Sequence, residues 1–95
     1  MGYNLILTSQ AQGEIIDIVD YYDAIDPELG NRFLDEMQSI YSKLIDHPQY
    51  YSFVHNRRSS NIRDIKLKSF PYVVVFEIRE TDVMIISVKN TFREG

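Results

Sequence analysis

Four groups of residues in this 95-residue chain could hold an anion or grip a charged partner. The first is Arg57-Arg58. The second is Arg63 with Lys66 and Lys68, which leads into the third, Ser69-Phe70-Pro71-Tyr72. The fourth closes the chain: Lys89-Asn90-Thr91-Phe92-Arg93. Cations interleaved with aromatic rings contact phosphates and stack on bases. The same mixture can pin an acidic partner peptide. Side chains alternate across a strand, so Arg63 and Lys66 should lie on opposite faces and cannot by themselves form one patch.

Other chemistries lack their residues. With no cysteine, disulfides, thiol catalysis and thiolate metal sites are excluded. The four glycines are scattered and form no phosphate loop. His47 precedes a proline and His55 sits beside a polar stretch, neither with a partner at ligand or triad spacing, so both read as structural or surface residues. Glu14, Asp17 and Asp20 resemble a carboxylate cluster, but di-metal bundles take ligands from four helices and this chain supplies two. They read instead as a solvated helix face. No cofactor and no metal is expected.

The elements that must position these residues are legible from periodicity. Residues 3–7 have strand character. Ser9 reads as a helix N-cap, with Gln12 completing a capping box. Ala11, Ile15, Ile18, Val19, Tyr22 and Ile25 follow at helical spacing, with Gln10, Glu14, Asp17 and Asp20 on or near the opposite face. Asp26-Pro27-Glu28 has the composition of a second helix start. Leu29, Phe33, Met37, Ile40 and Leu44 repeat at three and four until Asp46-His47-Pro48 ends the helix. So short a connection makes an antiparallel helical hairpin over residues 9–46.

Beyond Pro48 the period changes to two. Residues 51–54 are a strand candidate and residues 56–61 a polar loop. Arg63, Ile65 and Leu67 mark one face of a strand. Pro71 opens a nearly continuous β-branched run, residues 72–78, which reads as the central strand. Residues 80–82 form a hairpin loop, 83–88 the last strand and 89–95 a polar tail. The fold class is α+β: an N-terminal strand, a helical hairpin, then C-terminal antiparallel strands forming one small sheet, all in a single domain, 1–95. One sheet face is left without a helix and is polar or given to a partner.

Composition agrees. The chain is 44% hydrophobic and 13% aromatic, enough for one core and too apolar for a disordered segment. No apolar run approaches the roughly 20 residues of a membrane span, and the N-terminus lacks a signal-peptide pattern. A cysteine-free chain suits the reducing cytoplasm. Charge is uneven: residues 1–47 carry two cations and nine acids, whereas residues 48–95 carry eight cations and five acids. A net charge of −4 argues against general nucleic-acid binding, although the basic second half can present a local anion-facing patch.

Taken in order, these features resemble the RelE/ParE toxin superfamily of bacterial type II toxin–antitoxin systems. The similarity spans residues 3–93. It is carried by Leu7-Thr8 before a helix containing Ala11, the pair Tyr21-Tyr22, Leu29-Gly30 with Phe33, Ile45 with Pro48, then Arg63, Ile65, Leu67, Phe70-Pro71-Tyr72, Val88 and Arg93. Gly30 then serves close helix approach and Pro71 sets the turn between strands.

The resemblance implies a toxin subunit, neutralised by a co-encoded antitoxin. RelE-like members cleave messenger RNA on the ribosome, and ParE-like members poison DNA gyrase without catalysis of their own. Val73 stands where RelE-like members often carry arginine, and Asn90 where many carry histidine. The dense basic charge of the superfamily is absent as well. The resemblance is therefore more ParE-like, a plasmid-stabilisation type of toxin with DNA gyrase as an implied target. The ribonuclease alternative would use Arg63, Lys66, Lys68 and Arg93 as phosphate contacts, and a third alternative is a non-toxic interaction domain. A partner or target surface would draw on Arg57, Arg58, Arg63, Lys66, Lys68, Tyr72, Asn90 and Arg93. No membrane partner is expected, and a homodimer is compatible with the exposed sheet face.

Overall fold

A computed structural model of the chain describes residues 2–48 and 62–91. Its elements run β1 (Asn4–Leu7), α1 (Ser9–Ile25), α2 (Pro27–Asp46), β2 (Ile62–Lys66), β3 (Tyr72–Arg79) and β4 (Asp82–Asn90). One four-stranded sheet has the order β1-β4-β3-β2. The three later strands are antiparallel neighbours, as their short connections require, while β1 pairs parallel to β4 with Leu5 opposite Val83 and Leu7 opposite Ile85. The helical hairpin lies between β1 and the rest of the sheet in sequence, and this crossover allows the parallel pairing.

The first helix begins one residue earlier than its sequence pattern implies. Thr8, not Ser9, is the N-cap: its hydroxyl oxygen accepts from the Ala11 amide and donates to the Ile86 carbonyl. Gln12 closes no capping box; its side-chain amide donates to the Leu7 carbonyl. Thr8 prevails because its amide also donates to the Ile85 carbonyl, continuing the β1–β4 pairing up to the helix. Asp26 ends α1 and caps α2 together. Its amide donates to the Tyr22 carbonyl and its carboxylate accepts from the Glu28 amide, with Pro27 in the first turn. The Gly30 backbone faces the Asp23 carboxylate across the hairpin, in the space a Cβ would fill. The second helix ends at Asp46, where the His47 amide donates to the Lys43 carbonyl.

Both helices pack on one sheet face. Ala11, Ile18, Phe33, Met37, Ile40 and Leu44 meet Val74, Phe76, Ile78, Val83, Ile85 and Val88 in one core cluster. Tyr22, Phe33, Phe70 and Tyr72 form an aromatic group at one end, with Tyr22 and Phe70 centroids 5.0 Å apart. Such contacts add to area burial when edge-to-face, as most are here. No described helix covers the opposite face, where Glu77 pairs with Arg79 at 3.4 Å, an exposed pair that adds little stability.

Two features depart from regular strands. The β3–β4 turn places Glu80 at φ 53, a left-handed conformation uncommon for a residue with a side chain. Between Val75 and Phe76 the register shifts, so that Val75 pairs with Ser87 while Phe76 pairs with Ile85. Ile86 is the extra residue of this bulge, and the consecutive residues Ser87 and Val88 are both buried. Residues 89 and 90 belong to β4, not to a tail, since Lys89 pairs with Val73 and Asn90 with Tyr72. The expected strand at residues 51–54 and loop at 56–61 lie outside the described residues.

Phe33 is fully buried at the meeting point of both helices and the sheet. Phe33→Ala should lower unfolding free energy by about 3–5 kcal/mol, read as a fall in the denaturation midpoint with an unchanged slope. An unaltered midpoint would show that Phe33 does not carry the core.

Candidate functional site

A cleft of about 720 Å³ opens between α1 and the end of β4. Helical spacing builds one wall, since residues 14, 17, 18, 21 and 22 recur at steps of three and four along α1. The other wall is Val88, Lys89 and Asn90 of β4 with Pro71 and Tyr72 at the start of β3. Tyr72 and Asn90 are cross-strand partners, and the Thr91 amide and hydroxyl donate to the Pro71 carbonyl, which closes that end of the sheet.

The cleft wall is fixed by Glu14. One of its carboxylate oxygens accepts from the Ser87 hydroxyl and the Val88 amide, both at 2.9 Å, and the other accepts from the Gln10 side chain at 3.3 Å. Glu14 is therefore not part of a purely solvated face, as its sequence pattern implies. The β1–β4 pairing ends at Leu7 and Ile85, so the edge of β4 beyond it has no strand partner, and Glu14 accepts from the Val88 N–H there across the helix–sheet interface. The spacing of Ala11, Glu14 and Ile18 contains the signal, because a carboxylate inserted in the apolar row faces the sheet. Asp17 is exposed one turn further on.

A second carboxylate does similar work elsewhere. Glu36 of α2 accepts hydrogen bonds from the backbone amides of Lys68 and Ser69, tying the β2–β3 turn to the hairpin. This turn delivers Phe70 and Tyr72 to the aromatic group beneath the cleft. Burial raises the Tyr22 phenol above its ordinary value, and the neighbouring Tyr72 ring and hydroxyl, then Tyr21, push in the same direction. Burial alone raises Tyr41.

The residues singled out in the sequence do not gather into one place. Tyr72 and Asn90 meet at the cleft. Arg63 is half-buried on the helix-facing side of β2, paired with Phe76, whereas Lys66 pairs with Val73 and points to the opposite face. Lys68 is exposed on the turn held by Glu36. Arg57, Arg58 and Arg93 lie outside the described residues. Among the described residues no group of three or more His, Cys, Asp or Glu side chains is placed to hold a metal ion. Nor is any described helix long and apolar enough to cross a membrane.

Residues 5–94 match the family model of the ParE toxin of the type II toxin–antitoxin system, parDE. The chain belongs to the ParE toxin family. Its fold is similar to a chain of the chromosomal ParDE TA system from P. aeruginosa, with a TM-score of 0.77 over 93% of this chain and 95% of that one, at 16% identity. Among curated proteins none matches. That likeness covers the architecture described above, a strand and helical hairpin followed by three antiparallel strands.

Two outcomes test this arrangement. Glu14→Ala leaves the Val88 amide and Ser87 hydroxyl without their acceptor and should cost about 1–3 kcal/mol of stability, with faster hydrogen exchange at Val88; Glu14→Gln should recover part of the loss. Tyr22 is protonated in the fold at pH values where an unfolded tyrosine ionises. Its contribution is thus complete below about pH 10 and lost as pH rises from there through the higher folded value. Tyr22→Phe should flatten the alkaline fall in stability measured by denaturant titration, and equal slopes in the two proteins would remove Tyr22 as its source.

Proposed function

We propose that this ParE family member inhibits growth by binding a cellular target in the cytoplasm, and that a co-encoded antitoxin neutralises it. The family match over residues 5–94 carries this reading. DNA gyrase is the target it implies.

Action by binding, not by RNA hydrolysis, is supported by the chemistry available around the cleft. Cleavage through the RNA 2′-hydroxyl needs a base, charge stabilisation at phosphorus and an acid for the leaving oxygen; positioned acid–base groups contribute about 10²–10⁴-fold. Val73 is buried on β3 and offers neither charge nor proton. Asn90, on the cleft wall, cannot titrate near neutral pH. Arg63 stays protonated and makes a poor base. Lys66 is carried on the opposite strand face from Arg63, so the two cannot clamp one phosphate from the same side. Glu14 and Asp17 on the α1 wall repel phosphate.

The antitoxin reading draws on charge as well. A segment that meets the basic second half should be acidic and amphipathic, with electrostatics acting mainly on encounter rate and specificity. In the absence of that partner, the sheet face that no described helix covers, where Ile6 of β1 is exposed, favours a homodimer, detectable by sedimentation.

Expression of the chain alone should arrest growth, and co-expression of the neighbouring small reading frame should restore it. Supercoiling by purified gyrase should fall on addition of the protein, while messenger-RNA 5′ ends stay unchanged. Association with the antitoxin should weaken as salt rises. Codon-phased RNA cuts that vanish in Arg63→Ala or Lys66→Ala would instead establish the ribonuclease alternative, and growth without arrest would establish the non-toxic one.

A further inference from the structure

We propose that the cleft between α1 and the end of β4 is a docking site for an arginine side chain presented by a partner protein. The cleft is open and about 720 Å³, far larger than one side chain needs, so the partner enters as a segment of chain and places one side chain against the α1 wall. That wall combines an exposed carboxylate with exposed aromatic surface. Asp17 lies one turn from Tyr21, a residue 61% exposed whose ring meets Tyr22 edge-to-face at 5.1 Å. Tyr22 is in turn held by Phe70 and Tyr72, so the aromatic surface is rigid before any ligand arrives.

Charge selects the occupant. The α1 wall contributes Glu14 and Asp17, and Lys89 opposes them from β4. The Glu14 carboxylate is held by Ser87, Val88 and Gln10 and contributes field more than contact. Asp17 forms no ion pair with another described residue and is the contact group. A guanidinium is planar, stacks on a tyrosine face and donates to a carboxylate in its own plane, which suits a ring and an acid side by side. An ammonium is a compact, strongly hydrated point charge that uses the ring less well. Lys89 confines the cation to the α1 side and disfavours an occupant carrying several positive charges.

The site is read on the isolated chain and does not depend on whether the chain inhibits growth or what it inhibits. The probe is acetyl-Gly-Arg-Gly-amide, titrated into the full chain with tyrosine ring resonances and backbone amides observed by NMR. Saturable shifts centred on Tyr21, Tyr22 and the Val88–Asn90 amides are expected. The lysine peptide should bind about two- to fivefold more weakly, and the citrulline peptide, isosteric and uncharged, should not saturate. Asp17→Asn, at an exposed position, should weaken binding about two- to fivefold without changing the melting temperature, and Tyr21→Ala should weaken it by a similar factor while lowering the melting temperature only slightly, through the lost edge-to-face contact with Tyr22. Lys89→Gln should tighten it by a similar factor, whereas an anion site would be weakened by that change. Equal binding of the lysine peptide would overturn the assignment to arginine. Saturation by citrulline, weakening by Lys89→Gln, or shifts confined to another surface would overturn the site.

Discussion

The buried ring of Phe33 lies 5.5 Å from Phe70, 5.9 Å from Tyr72 and 6.3 Å from Tyr22. Those three rings belong to the β2–β3 turn, the start of β3 and α1, so one side chain of α2 fixes the relative position of four segments. Their distances leave no space for water, and the interior is as dense as a molecular crystal. The hairpin therefore cannot slide along the sheet without opening this contact. The cleft depends on it directly, because Tyr22 and Tyr72 are both members of the aromatic group and linings of the cavity.

Two carboxylates hold the irregular backbone that such a small sheet requires. Glu14 reaches from α1 to Ser87 and Val88, just past the bulge and beyond the end of β1, and Glu36 reaches from α2 to the turn at Lys68 and Ser69. In both places the strand ladder cannot supply a partner for a backbone N–H, and an acidic side chain from a helix does so. Part of the acidity of the first half of the chain is thus structural. Apart from Asp26, which caps α2, the remaining acids of that half lie on exposed helix surface, which leaves α1 with a negative field beside the cleft.

This arrangement separates the chain's two charge regions in a way that bears on function. Of the described basic residues, Arg63, Lys66 and Lys68 are split between the faces and the turn of β2, while the lining of the cleft includes Glu14, Asp17 and three tyrosines, with Lys89 opposite. The cleft is aromatic and negatively biased on its α1 side, and the described residues gather little positive charge in one place for a nucleic-acid backbone. Electrostatic complementarity of that sort governs which partners are accepted more than how tightly they are held.

The two helices, the Asp26 cap of α2 and the strands from Ile62 onward were legible because each depends on local terms: side-chain period, proline geometry and capping. The apolar positions Phe33, Met37, Ile40 and Leu44 of α2 are all buried, as their spacing requires. The N-cap was misplaced by one residue because Thr8 and Ser9 are equally good caps locally, and the hydrogen bonds from Thr8 to Ile85 and Ile86 that decide between them are 77 and 78 residues away in sequence. The pattern around Glu14 implies a solvated face for the same reason: nothing near it in sequence announces the β4 amide that it serves. Periodicity likewise ended the last strand at residue 88, since Lys89 and Asn90 are polar; their pairing with Val73 and Tyr72 carries the strand on. Local chemistry, written along the chain, thus determined the elements and their apolar faces. The parallel placement of β1, the bulge and the cleft were decided only by tertiary structure, because each arises where backbone groups distant in sequence must find hydrogen-bond partners.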